Sequence, residues 1–464
     1  MRTLEFDGLM KGERVARLCA VVVILLLAGR TARAQEAVGL EAPVPSSVEE
    51  QQTSIGESFE APKERVRLTD LLKDYLKDQT PFLRDSKLLV NLRSYYFRRD
   101  QFDDSLSQAA AIGGSLGYKS GYLFDTFGIG VTGYTSQPLL YAPKDETGTL
   151  LLEPDTHGYS VVGQLYGEFK LGEEARVDLY RKDLNTPFIN RNDNRMTPNT
   201  FEGYTLTGSH AFAGGESELR YGGGWVTKIK ERNSEHFVPM SEDAGAPVDR
   251  GVAVAGFNYK TKNATLGAIE YFSEDVLNIV YSEAKYSGTL PSGIGLLGSV
   301  QYTDQRSTGS DALSDGDYFS TNQLGVKVEA SYEAAVVTLG YTTTATGSNM
   351  RNPWSSYPGY TSVQVEDFNR ADEQASLAKV SYDFTRLGLH GVTAAGLWVH
   401  GWGVQPTTGQ NEDEYDLDLQ WRPQGERWKG LWFRWRQAYV RQRGGDHNTL
   451  DDYRLIVNYD FEAL

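Results

Sequence analysis

Arg434 and Arg436 stand two apart in the string Leu431-Trp-Phe-Arg-Trp-Arg436. A spacing of two on an extended chain puts both guanidiniums on one face and Leu431, Phe433 and Trp435 on the other. Arg93 and Arg454 also fall opposite the apolar residues of their segments, and Arg176 alternates with Val177. A guanidinium stays charged and grips a carboxylate through two parallel hydrogen bonds. A row of them suits an anion that hops between modest sites without being trapped. The same arginines can instead be neutralised by acids such as Asp178, Asp416, Asp418 and Asp460. The sequence leaves both readings open.

Two strings resemble enzyme motifs. Gly113-Gly-Ser115-Leu-Gly117 fits the nucleophile elbow, which would make Ser115 the nucleophile of an esterase. That motif needs a strand-to-helix turn with an acid and a histidine converging on it. Here it lies inside an alternating segment with no helix after it. Gly128-Ile-Gly130-Val-Thr-Gly133 fits the dinucleotide fingerprint but lacks the helix that would hold a pyrophosphate. The histidines at 157, 210, 236, 390, 400 and 447 show no i, i+4 pair, so no metal site is expected. We expect neither cofactor nor catalysis.

These residues are positioned by strands. From Lys87 onward the period is two. Leu324, Val326, Val328, Ala330 and Tyr332 alternate with Gln323, Lys327, Glu329, Ser331 and Glu333. Tyr415, Leu417, Leu419 and Trp421 alternate with Asp416, Asp418, Gln420 and Arg422. Eighteen such segments start near residues 87, 109, 122, 159, 175, 203, 217, 253, 264, 276, 294, 322, 335, 375, 391, 412, 430 and 452. Tight connections (Lys119–Gly121, Ala213–Glu216, Thr261–Asn263, Glu333–Ala334) alternate with long ones (Gln137–His157, Lys182–Glu202, Lys228–Gly251, Asp304–Thr321, Ala345–Gln374). This is the pattern of an all-β, antiparallel transmembrane barrel of 18 strands, with short periplasmic turns and long extracellular loops. A soluble β-rich binding protein would show the same alternation with its faces reversed, and the sequence alone does not say which face points in. Tyr96, Trp421, Trp432 and Tyr459, near segment ends, suit interfacial girdles.

The first 34 residues read as a signal peptide: Lys11, Arg14 and Arg17, an apolar run Leu18–Ala28, then Ala32-Arg33-Ala34. Residues 35–80 form an acidic, flexible segment with a short amphipathic helix possible over Leu68–Leu76, and residues 81–464 form the barrel. Without residues 1–34 the balance is 40 basic to 59 acidic, a net −19 that argues against nucleic-acid binding. The single cysteine, Cys19, falls in the leader, so disulfides and thiolate metal sites are excluded after cleavage.

Several strings also resemble the OprD-type family of substrate-specific outer-membrane porins. They are Asn91-Leu-Arg-Ser-Tyr-Tyr-Phe-Arg-Arg-Asp100, Asn192-Asp-Asn-Arg-Met-Thr-Pro-Asn-Thr-Phe-Glu-Gly203, Pro358-Gly-Tyr-Thr-Ser362, Phe368-Asn-Arg-Ala371 and Asp452-Tyr-Arg-Leu-Ile-Val-Asn-Tyr459. The resemblance implies an eighteen-stranded barrel whose loops fold into the lumen, and a ladder of basic side chains guiding carboxylate-bearing solutes. On that basis Arg195 and Asp193 are placed at a constriction, with Tyr360, Ser362 and Arg370 of the seventh outer loop opposite them. Arg93, Arg176, Arg195, Arg434, Arg436 and Arg454 are the expected pore-lining residues. The expected protein is a passive channel in the outer membrane of a Gram-negative bacterium. Its partners would be small-molecule solutes and outer-membrane lipid, with no nucleic acid, and it would be a monomer or weak homotrimer. The rival readings are an esterase using Ser115 and a soluble β-rich binding protein.

Overall fold

The computed structural model describes residues 68–464 apart from 213–214, 315, 406–408 and 444–447, with side chains from residue 72. The expected leader, most of the acidic segment, part of the Ala213–Glu216 turn and His447 lie outside the described residues. A helix covers Leu68–Leu76, and a one-turn helix, Pro81–Arg84, precedes the first strand.

Eighteen long strands follow. They are β1 (Lys87–Asp100), β2 (Leu106–Lys119), β3 (Phe127–Pro138), β4 (Tyr159–Leu171), β5 (Ala175–Lys182) and β6 (Thr200–Ala211). Next come β7 (Ser217–Lys230), β8 (Val252–Thr261), β9 (Ala264–Ser273), β10 (Leu277–Thr289), β11 (Gly295–Ser307) and β12 (Ser320–Tyr332). The last six are β13 (Ala335–Thr344), β14 (Gln374–Asp383), β15 (Val392–Trp402), β16 (Glu412–Trp421), β17 (Leu431–Gln442) and β18 (Thr449–Glu462). A two-residue strand, Val238–Pro239, adds to β7. Each strand pairs antiparallel with its sequence neighbours, and β1 pairs with both β2 and β18. The sheet is a closed barrel, which leaves no edge unpaired.

Alternating β-branched and aromatic residues place most strands where the sequence pattern puts them. The third differs: it begins at Phe127 and not near 122, because Leu123–Thr126 makes a tight turn. Phe124 and Asp125 sit there at φ 53° and 55°, the left-handed region, which ends a strand.

The faces are those of a barrel in lipid. Leu417 and Leu419 are 53% and 41% exposed, while Glu414 and Asp416 between them and the rim are 0% and 5% exposed. Leu324, Val326 and Val328 are exposed and Gln323 is buried. A soluble sandwich would bury the apolar set.

The main apolar cluster lies in the long connections. Phe188 (connection 183–199), Met240 (231–251), Phe319 (308–319) and Trp354 and Tyr357 (345–373) pack with Tyr271, Ile279 and Tyr281 on the inward faces of β9 and β10. Phe188 is edge-on to Tyr271, Tyr281 and Tyr357 at 5.9, 6.4 and 6.0 Å between centroids.

Candidate functional site

The inward faces of β16, β17, β18 and β1 adjoin one another, and they carry the arginines singled out by parity. Arg436 lies opposite Asp418 on β16 and Arg454 on β18, and Asn458 lies opposite Arg93 on β1. Asp418 accepts a two-pronged bond from Arg434 and forms an ion pair with Arg436, whose Nε lies 3.2 Å away without a hydrogen bond. Asp452 is likewise shared: Arg454 binds it at 2.6 Å and Arg99 at 2.7 Å. Four guanidiniums therefore meet two carboxylates on this wall.

Arg93 is held at the junction of wall and loop. Its Nη1 donates to Asp193 Oδ1 at 2.6 Å and to the Arg195 carbonyl at 2.5 Å, and its Nε donates to Asn458 at 3.0 Å. Arg191 lies 3.7 Å from Asp193 on the other side. The Arg93–Asp193 contact joins the barrel to the 183–199 connection.

Arg195 is not an open rung. It is 5% exposed, donates through Nε to the Thr149 carbonyl at 2.9 Å, and stacks 5.0 Å from the centre of the Phe97 ring. Arg99 and Arg454 lie over the same ring at 5.5 and 5.4 Å. Arg195 thus ties two loops to the wall, with its charge set beside other cations. Arg176 stays apart on β5, half-exposed and 3.9 Å from Asp178.

Of the seventh-loop residues, Tyr360 donates to Glu283 on β10 at 2.7 Å, and Lys327 sits 4.9 Å from its ring centre. Ser362 donates to Asp367 at 2.6 Å. Arg370 is drawn to the loop base, with Glu373 at 2.5 Å and Glu412 at 2.7 Å. Burial pushes its pKa down, but the bond and charge of Glu373, with Glu412 and Glu366, outweigh this and hold it above the ordinary arginine value. Burial likewise pushes the Asp367 and Glu366 carboxyls of this loop upward.

Sequence reasoning missed Arg99, although it shares the parity of Arg93 and so carried the same signal. It also missed Lys379 on β14, whose charged neighbours are Asp418, Glu329, Lys327 and Arg434. Nor did spacing foretell that Glu153, Glu235 and His236 offer ligand atoms within 4.8 Å of one another, because they come from two different loops. That trio is exposed or half-exposed, and such groups are common on surfaces without an ion.

The two enzyme-like strings lie in strands. Ser115 is inside β2, with Asn91 and Tyr134 as its cross-strand neighbours, and no helix follows. Gly113 and Gly114 answer a steric need, since a Cβ on either would lie 2.0 Å from the carbonyl oxygen of Thr135 or Asn91. Gly128–Gly133 belongs to β3, where Gly130 makes room for the Tyr166 ring.

The comparisons with known proteins agree with this geometry. Residues 80–463 match the family described as outer membrane porin, OprD family. Porin D of Pseudomonas aeruginosa is 26% identical over 428 residues, covering 82% of this chain and 92% of that protein. The porin-like protein GalP of Pseudomonas putida is 24% identical over 408 residues, covering 82% and 93%. Among solved structures, Pseudomonas aeruginosa OccK9 (OpdG) superposes with a TM-score of 0.75 at 26% identity, covering 82% of this chain and all of that one. OccK2 (OpdF) of the same organism, solved in complex with glucuronate, gives 0.71 at 21% identity, covering 83% and 100%. The chain belongs to the OprD family of outer membrane porins, channels of the Gram-negative outer membrane.

Proposed function

We propose that this porin passes small carboxylate-bearing solutes along the wall formed by Arg93, Arg434 and Arg436, with Arg99 beside them and Arg454, only 1% exposed, buried behind it. The observation that carries this reading is the sharing of acids: Asp418 serves both Arg434 and Arg436, and Asp452 serves both Arg454 and Arg99. Arg434 and Arg436 outnumber the Asp418 they share, so that trio keeps a net positive charge. It can attract an anion, while the shared acid keeps any one site from binding too tightly. Two family members crystallised with carboxylates, OpdK with vanillate and OccK2 with glucuronate, support the same solute class. Ser115 has no catalytic part in this reading, and solutes cross unchanged. The channel works as a monomer or in a weak trimer.

The test is electrical. In planar bilayers under a salt gradient, replacing Arg434 and Arg436 together by Gln is expected to shift the reversal potential toward cations. Flux of a monocarboxylate panel should fall with it, and heat-modifiable gel mobility should show that the barrel still assembles. Unchanged selectivity in an assembled double variant rejects the arginine wall.

A further inference from the structure

The strand facing the arginines carries four acids in alternation, Glu412, Glu414, Asp416 and Asp418, all on the inward face of β16. Asp418 answers Arg434 and Arg436, and Glu412 answers Arg370. The middle two are used differently. Glu414 accepts the backbone N–H of Val365 on Oε1 and that of Glu366 on Oε2, both at 2.8 Å. Asp416 accepts the N–H of Gln364 at 3.2 Å. Three consecutive amides of the seventh outer loop are thus received by two carboxylates of the barrel wall. β18 adds two more bonds: Asp452 accepts from Gln364 Nε2 at 2.8 Å, and Arg454 donates to the Gln364 carbonyl at 3.1 Å.

Consecutive N–H groups turned to one point make a concave site for negative charge. Here the loop supplies the concavity and the barrel supplies the anion. Glu414 uses both oxygens as acceptors, which only the ionised form can do fully, because a protonated carboxyl turns one oxygen into a donor. Its direct cross-strand neighbours are Val399 and Val440, and those of Asp416 are Leu397 and Ala438. These side chains offer the charge nothing, so Glu414 is answered by the loop amides, and Asp416 by the Gln364 amide with Arg436 and Arg454 nearby.

We propose that Gln364–Glu366 is a latch: the Glu414–Asp416 pair, while it carries negative charge, holds the seventh outer loop against the wall, and acidification releases it. The proposal rests on the reading of the lumen as the solute path, since the latch sits on the arginine wall and regulates passage there. All the charged groups packed about it enter the balance. On β16 these are Glu412 and Asp418; on β17, Arg436; on β18, Asp452 and Arg454; on β1, Arg99; and from the loop, Glu366, Asp367, Arg370 and Glu373. Glu414 and Asp416 also hydrogen-bond to each other, so the pair can share one proton and still present negative charge to the loop amides. The sign follows from the bonds. The latch is shut while the pair carries charge and opens as pH falls and the pair becomes fully protonated.

The experiment places a nitroxide spin label on Val365→Cys, in a Cys19→Ser background, in the full chain reconstituted in bilayers. In the otherwise native channel the label is expected to be immobile at about pH 7.5 and mobile at about pH 4.5, a span that crosses the ordinary carboxylate range. In the Glu414→Gln/Asp416→Asn channel the label should be mobile at both. The released population should rise at least about tenfold once the charge-assisted bonds are lost. An immobile label in the assembled double variant at the higher pH overturns the proposal. So does a native-channel label that does not respond to acid, a measurement that does not depend on the variant folding. Reversal potentials recorded on the same proteins report the arginine wall, so a failure of the solute reading shows separately from a failure of the latch.

Discussion

Asp418 is the residue whose replacement separates a conducting wall from a neutralised one. If Arg434 and Arg436 are merely cancelled by it, the wall carries no net field for a solute to follow. If they outnumber it, removing the acid should strengthen the field. Asp418→Asn leaves the side-chain volume nearly unchanged and frees both arginines, with Lys379 close by. The expected outcome is a reversal potential shifted further toward anions, opposite in sign to the Arg434/Arg436 double replacement. No shift would mean that the guanidiniums find other acids. Parity alone made this wall legible, because a one-residue slip would have sent Arg434 and Arg436 into lipid. The partners were not legible. Asp193 reaches Arg93 across 100 residues of chain, and Asp452 gathers Arg99 across 353. Only the closed register of β18 on β1 brings these groups together, and no local spacing encodes it. Arg195 shows the same limit: its string marks it as functional, yet its neighbours Phe97 and Thr149 decide that it is buried.

At the scale of elements, strand positions followed from alternation, and most connections followed from where it stops. The loops did not follow, because their order comes from contacts with one another. Trp354 is the clearest case. It is 1% exposed, donates through Nε1 to the Met240 carbonyl at 2.8 Å, and lies 6.4 Å from Tyr271. These contacts join the seventh loop to the fourth and to β9. Burying a large aromatic in this way stabilises its surroundings by about 3–5 kcal/mol relative to alanine. The strand ladders do not depend on it. Trp354→Ala should therefore leave heat-modifiable mobility intact while making the 345–373 connection far more open to protease added outside. Loss of the folded barrel band would show that the loop cluster also supports closure, and unchanged protease resistance would show that Trp354 does not hold the loops.

The barrel is a sheet turned inside out, with lipid as the apolar phase and a charged lumen as the polar one. Facing can be tested independently of transport, by placing a charge at different depths on the outer surface. Val326 is the seventh of 13 residues in β12 and is exposed on the apolar face, with Val300 and Tyr341 beside it across the ladder. An arginine there would meet the hydrocarbon near mid-depth, at a cost of about 2–4 kcal/mol. Phe433 also shares the outward parity, but it is the third residue of β17 and stacks 5.4 Å from Trp421, the last residue of β16. That pair belongs to the aromatic girdle at the short-turn rim, where a long cationic side chain can extend into the headgroup layer. The cost at Phe433 should drop to about 0–1 kcal/mol. Urea titration of refolding into lipid vesicles should therefore rank Val326→Arg well below Phe433→Arg, with Phe433→Arg close to the native chain. Lys327, next to Val326 but inward, supplies the control: Lys327→Arg keeps a cation in the lumen and should fold normally. If Val326→Arg folds as well as Lys327→Arg, the outward face is not in hydrocarbon, and the barrel does not lie in the membrane with the facing described.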